Sequence, residues 1–217
     1  MSIRFAAQRL RAIVLPALLA FSAAHAQAAA VSVASFSFAP GSGYGVDANE
    51  SSGSLLGVIF SSSIFSAQDF MLVVAGDSMT FDVGTVQFTE PNSHGGIDAS
   101  EVDNLGVTAS LTSNSPFAGL VEVQATGAAI TGAVSDSASD LTIDWAPVQL
   151  AFGTGGLLQL SLHDLTFTGL ETLTQTATIT LLRAPEGSTP TAVPEPGSLA
   201  LFGVGMVALA SARRRRR

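Results

Sequence analysis

Between Val31 and Arg183, hydrophobic and polar residues alternate with a period of two or gather in short apolar runs, interrupted by Gly, Ser, Asn and Pro. Successive side chains of a strand point to opposite faces, so this pattern predicts β-strands rather than helices. At its start Val31, Val33, Ser35 and Ser37 share one predicted face and Ser32, Ala34, Phe36 and Phe38 the other, up to Pro40-Gly41. Further strands are predicted over Leu55–Phe60, Phe70–Val74, Met79–Phe88, Val107–Thr112 and Leu120–Ala125. Beyond these come Ala128–Val134, Leu141–Trp145, Val148–Phe152, Leu157–Thr168 and Thr176–Leu182. Two of them alternate cleanly: Val107, Ala109 and Leu111 against Thr108, Ser110 and Thr112, and Ala177, Ile179 and Leu181 against Thr176, Thr178 and Thr180. Enrichment in Thr, Val, Phe and Ile suits a half-buried pleated surface.

Turn signals separate the strands at Gly41-Ser42-Gly43, Ala75-Gly76-Asp77, Asn92 to Gly96, Asn114 to Pro116 and Gly153 to Gly156. Short strands with regular turn signals predict an all-β body, a two-sheet β-sandwich or jelly roll. Only Ser61–Gln68 suggests a turn of helix, and no fixed-period repeat is present. Phe is the main aromatic, with 13 copies, and those that fall in the predicted strands are expected, with Trp145, in the core, where such rings dominate burial.

The ends of the chain break the pattern. Arg4, Arg9 and Arg11 precede an apolar run from Ala12 to Ala24 and the small-residue stretch Ala24-His25-Ala26-Gln27-Ala28. This is the layout of a secretory signal peptide, with cleavage predicted before Gln27 or, as a second option, after Ala28. As a helix the thirteen-residue run is about 20 Å long, short of the roughly 30 Å hydrocarbon core that an uncleaved anchor would have to span. At the other end, residues 184–192 cannot sustain a helix or an inner strand and read as a linker. Pro194-Glu195-Pro196 follows, then the apolar segment Leu199 to Ala212, then Arg213, Arg214, Arg215, Arg216 and Arg217. The apolar segment reads as a membrane helix built on Leu199, Leu201, Phe202, Val204, Met206, Val207 and Leu209. The arginine run reads as a stop-transfer signal held on the cytoplasmic side.

Charge and composition narrow the function. Only 12% of residues are charged, against about 25% in an ordinary soluble chain. There is no lysine, and between the two arginine-rich ends Arg183 is the single basic residue. Sixteen acidic residues (seventeen less Glu195) and one basic residue between Gln27 and Ala192 give the body a charge of −15. Such a body has nothing with which to neutralise phosphates, so no nucleic-acid partner is expected. Zero cysteines exclude disulfides, thiolate metal sites and a cysteine nucleophile.

The ordered tail, Pro194-Glu195-Pro196, then Leu199 to Ala212 with Gly203 and Gly205, then Arg213 to Arg217, resembles the PEP-CTERM sorting domain of exported bacterial proteins. The resemblance covers the end of the chain alone; the family of the body is not recognised. It implies recognition by a membrane-embedded exosortase, a cysteine-protease-like transpeptidase, processing near Pro194-Glu195-Pro196, and release or transfer to the cell surface. It also implies a Gram-negative source that makes exopolysaccharide, which makes exopolysaccharide a candidate partner.

The body offers little convergent chemistry. His94 lies in the turn Asn92-Ser93-His94-Gly95-Gly96 and His163 beside a strand, without the spaced partners that a zinc site or a general base needs. Gly76-Asp77-Ser78-Met79 looks like the nucleophile motif of GDS-type lipases, but no Asp stands three residues before a histidine. The Gly-rich stretches at Gly41–Gly45 and Gly153–Gly156 lack the following helix of a phosphate cradle and read as turns. Acidic groups occur at Asp47, Asn49 and Glu50, at Asp136 and Asp140, and at Asp98, Glu101 and Asp103, the last three being the calcium candidates. No EF-hand pattern is present and no cofactor is required.

The expected layout is a signal peptide at 1–26, a β-sandwich body at 27–183, a linker at 184–192 and a sorting segment at 193–217, with a helix in each terminal segment. The expected function is that of an exported, non-enzymatic envelope or extracellular-matrix protein. It is tethered transiently to the inner membrane and sorted by an exosortase-like system. One alternative is a carbohydrate-binding module using Tyr44 and Trp145, the only Tyr and Trp. The other is a glycoside hydrolase with a carboxylate pair.

Overall fold

The computed structural model describes residues 28–46, 55–91, 95–135 and 138–186, and within them the chain is all β. The strands are β1 (Ala29–Pro40), β2 (Tyr44–Gly45), β3 (Leu56–Ser61), β4 (Gln68–Leu72), β5 (Ser78–Phe88), β6 (Val107–Ser115), β7 (Gly119–Ala129), β8 (Leu141–Trp145), β9 (Val148–Phe152), β10 (Gly156–Leu162), β11 (Leu165–Phe167) and β12 (Thr172–Arg183). They form two six-stranded sheets, ordered β11-β8-β7-β6-β1-β4 and β2-β3-β5-β12-β10-β9. Pairing is antiparallel except between β2 and β3. The result is the β-sandwich that the alternation predicts. The expected terminal helices, the sorting motif, His94, Asp47, Asn49, Glu50 and Asp136 lie outside the described residues.

The core forms where the alternating apolar faces meet. Val107, Ala109 and Leu111 of β6 and Ala177, Ile179 and Leu181 of β12 are buried, while the threonines and serines between them turn outward. Burying each large side chain of this kind contributes about 1.5–3 kcal/mol relative to leaving it exposed. Aromatic pairs join the sheets: Phe70 on β4 lies 6.2 Å from Phe81 on β5, and Phe88 on β5 lies 5.8 Å from Phe167 on β11. Among the described residues the strand phenylalanines therefore work as core, as expected.

Several elements differ from the sequence reading for identifiable reasons. In β1 the simple alternation fails, because the register against β6 shifts between Val33 and Ser35. The extra residue changes the phase, so that Val31 and Val33 before it and Phe36 after it are all buried. Ala128–Val134 is not a strand of its own: β7 runs through Ala129, and the Ile130 amide then donates to the Asp140 carbonyl (2.9 Å). The single run predicted over Leu157–Thr168 divides into β10 and β11, which belong to different sheets, so the chain crosses the sandwich at His163-Asp164. Ser61–Gln68 holds only a turn, closed by Phe65 N to Ser62 O at 3.1 Å.

Candidate functional site

A buried polar network stands where the chain changes sheets. Gln175 on β12 is fully buried at a register shift opposite β5. Its Oε1 accepts from Trp145 Nε1 of the facing sheet (3.0 Å), and its Nε2 donates to the carbonyls of His163 (2.7 Å) and Thr176 (3.2 Å). Asp164 Oδ1 accepts from the Trp145 backbone amide at 2.7 Å. The indole is packed 6.4 Å from the Phe38 ring. Trp145 is thus a core residue that ties the sheets together. Tyr44 is equally buried, 5.1 Å from Phe60, with its hydroxyl donating to the Leu105 carbonyl (2.7 Å). Burial raises its phenol well above the ordinary value of 10.0. Neither ring is free to stack on a sugar.

The other sequence candidates are dispersed. Asp77 closes a turn: its Oδ2 accepts from the amides of Val73 (2.7 Å) and Val74 (2.9 Å). The Val74 bond first, then the Val73 bond, holds its carboxyl below the ordinary 3.8. Ser78 pairs with Thr180 on β12, whereas the exposed His163 bonds through its amide to Thr176, on the far side of that strand. Four residues of strand, about 13 Å, and two inter-strand spacings of about 4.8 Å separate them, so Ser78 and His163 cannot share a proton. An open depression bounded by His163, Asp164, Leu165, Thr166, Leu173 and Thr174 holds one imidazole and one carboxylate, the latter bonded to the Trp145 amide.

In the acidic loop the three calcium candidates face different tasks. Asp98 Oδ1 accepts from the Ser100 amide (2.9 Å) and hydroxyl (3.0 Å), and the first of these is the main cause of its lowered carboxyl pKa. Glu101 is buried and its Oε2 accepts from the Asp98 amide at 2.6 Å. Asp103 is exposed, and its backbone carbonyl packs on Gly43, where a Cβ would collide with it. Among the described residues no three acidic or histidine side chains gather as a cation site. Asp140 is buried in a separate loop, with Oδ2 accepting from the Ser135 amide at 3.1 Å. Sequence reasoning missed the role of Gln175, because one Gln in an alternating strand carries no local sign that its face is the inward one.

Among the described residues the sequence candidates Ser78, His163, Asp98, Glu101 and Asp103 are not brought together into one site, and the functional signal that the comparisons find is in the tail. A family model of the PEP-CTERM protein-sorting motif matches residues 192–217. The tail is a PEP-CTERM sorting signal. The match contains Pro194-Glu195-Pro196, the apolar segment Leu199 to Ala212 and the arginine run in the expected order. A PEP-CTERM signal marks an exported, membrane-passing precursor that an exosortase processes. No curated protein and no solved structure is significantly similar to the chain, so the body stands on its own geometry.

Proposed function

We propose that this PEP-CTERM protein is a non-enzymatic β-sandwich component of the envelope or extracellular matrix, released from the inner membrane by an exosortase-like transpeptidase. The PEP-CTERM motif at residues 192–217 carries the reading. The body supports it through what its candidate groups already do. Asp77, Asp98, Asp140 and Asp164 bond to backbone amides, Glu101 is buried against one, and Tyr44 and Trp145 belong to the core. A lysine-free domain of charge −15 stays soluble outside the cell and meets acidic polysaccharide only through cations or neutral contacts.

Replacing Pro194, Glu195 and Pro196 together by alanine tests the sorting step. The variant is expected to persist as an uncleaved, membrane-associated precursor on immunoblots of cell fractions, while the parent yields a shorter exported form. Identical processing of the two would overturn exosortase recognition. The non-enzymatic reading predicts that the exported form releases no reducing sugar from bacterial polysaccharides, and saturable turnover would overturn it.

A further inference from the structure

Both ends of the body leave the sandwich beside one apolar tip. Ala29, the first residue of β1, pairs with Leu72, immediately before the turn that carries Val73 and Val74. On the other sheet that turn is pinned to the last residues of β12, Gly76 N to Leu181 O (2.8 Å) and Leu181 N to Asp77 O (2.9 Å). Arg183 ends β12 two residues later. Around this tip Met71 is 60% exposed, Val73 48%, Val74 50%, Met79 41% and Leu182 37%. The turn does not bury them by rearranging, because the Asp77 carboxylate and the two bonds to Leu181 hold its backbone. Asp77, the acid of the turn itself, is directed at those amides, while Asp69 lies on β4 and Arg183, the only base of the body, stands at the end of β12.

The chain beyond these exits says what the tip meets. Four residues, 25–28, separate the apolar run ending at Ala24 from β1, a reach of at most about 14 Å. Twelve residues, 187–198, separate Glu186 from the apolar segment beginning at Leu199, about 19 Å as a flexible coil and at most about 42 Å extended. Until the signal peptide is removed both exits tether this end of the sandwich, and after its predicted cleavage the C-terminal segment alone keeps that end nearest the lipid. Held so close, even a weak apolar contact is populated, because the tether makes the encounter intramolecular. We propose that the Val73-Val74 tip is a lipid-contact surface, seated in the interface of the inner membrane while the precursor is tethered. The proposal rests on the tail acting as a membrane segment.

The absence of cysteine permits single-site labelling of the full precursor. The chain would be reconstituted into phosphatidylcholine vesicles with a polarity-sensitive fluorophore on Val74→Cys or, as the distal control, on Leu170→Cys. Leu170 precedes the start of β12, a strand about 36 Å long that ends at the tip. Expected is a blue shift at position 74 and loss of most of its emission when the lipid carries a nitroxide quencher, with neither change at position 170. Val73→Ser in the Val74→Cys background should diminish both signals. A chain that does not float with the vesicles would overturn the membrane tether and the contact with it. A chain that floats but whose position 74 is unquenched, or quenched no more than position 170, would overturn the contact alone. A blue shift without lipid quenching that grows with protein density would assign the tip to a second copy and also overturn the proposal.

Discussion

Gln175 is uncharged, fully buried and bonded at both ends of its amide, to an indole of one sheet and to carbonyls of the crossing at His163 and of its own strand. Gln175→Leu keeps roughly the volume but leaves the buried Trp145 Nε1 without an acceptor and the part-buried His163 carbonyl without that donor, an expected loss of about 3 kcal/mol. Urea unfolding followed by far-ultraviolet circular dichroism, a readout that also serves variants lacking Trp145, measures it directly. Adding Trp145→Phe should cost less in the Gln175→Leu background than in the parent, with a coupling of about 1–2 kcal/mol. Gly127 is a second sensitive position. A Cβ there would collide with the Tyr44 hydroxyl and the Leu105 carbonyl, the two partners of one buried hydrogen bond. Gly127→Ala is therefore expected to destabilise the chain by at least about 2 kcal/mol, as a fall in the same urea midpoint.

At the scale of elements, the turn between β4 and β5 and the acidic loop before β6 both rest on ionised carboxylates. Asp77 and Asp98 have folded pKa values below the ordinary 3.8 because backbone amides, and for Asp98 also the Ser100 hydroxyl, donate to their charged forms. Lowered folded values mean that their contribution is complete above the unfolded value near 3.8 and is lost as pH falls through the lower folded values. Asp77→Asn should lower the urea midpoint at neutral pH and flatten its decline below about pH 4 relative to the parent. An acid limb of unchanged slope would show that Asp77 is not responsible. No saturable heat is expected on titrating millimolar calcium into the chain, since Asp98 and Glu101 each bind a backbone amide within the loop and no three acidic side chains gather there among the described residues.

For the whole molecule, net charge is the dominant condition. The precursor carries −8, but the arginine ends supply eight of its nine positive charges, and the body between them carries −15. Self-repulsion of that size should make the exported form more stable in about 0.2 M sodium chloride than in about 0.01 M, where the screening length is near 30 Å. Thermal unfolding at the two salt concentrations checks this, and a midpoint that falls with salt would contradict it. Loss of the arginine ends also changes what the molecule can approach. Before processing it is drawn to the membrane through its tail, and under the proposed function it is afterwards an exported polyanion.

Local pattern determined the all-β class, most strand positions and the sorting tail, because each is encoded by neighbours in sequence. β8 and β9 fall at the predicted boundaries, and the tail is recognised by order and spacing alone. Tertiary structure decided what depends on partners far along the chain. The bulge that brings Phe36 into the core is set by β6, more than seventy residues away. The division of Leu157–Thr168 follows from which sheet each half joins, since both halves alternate equally well. Trp145 and Tyr44 could have been exposed platforms or core; burial between facing sheets made them core. The tip at Val73-Val74 is likewise invisible in the sequence. Its meaning comes from the start of β1 and the end of β12 lying beside it, so that both ends of the described body leave the fold at one place.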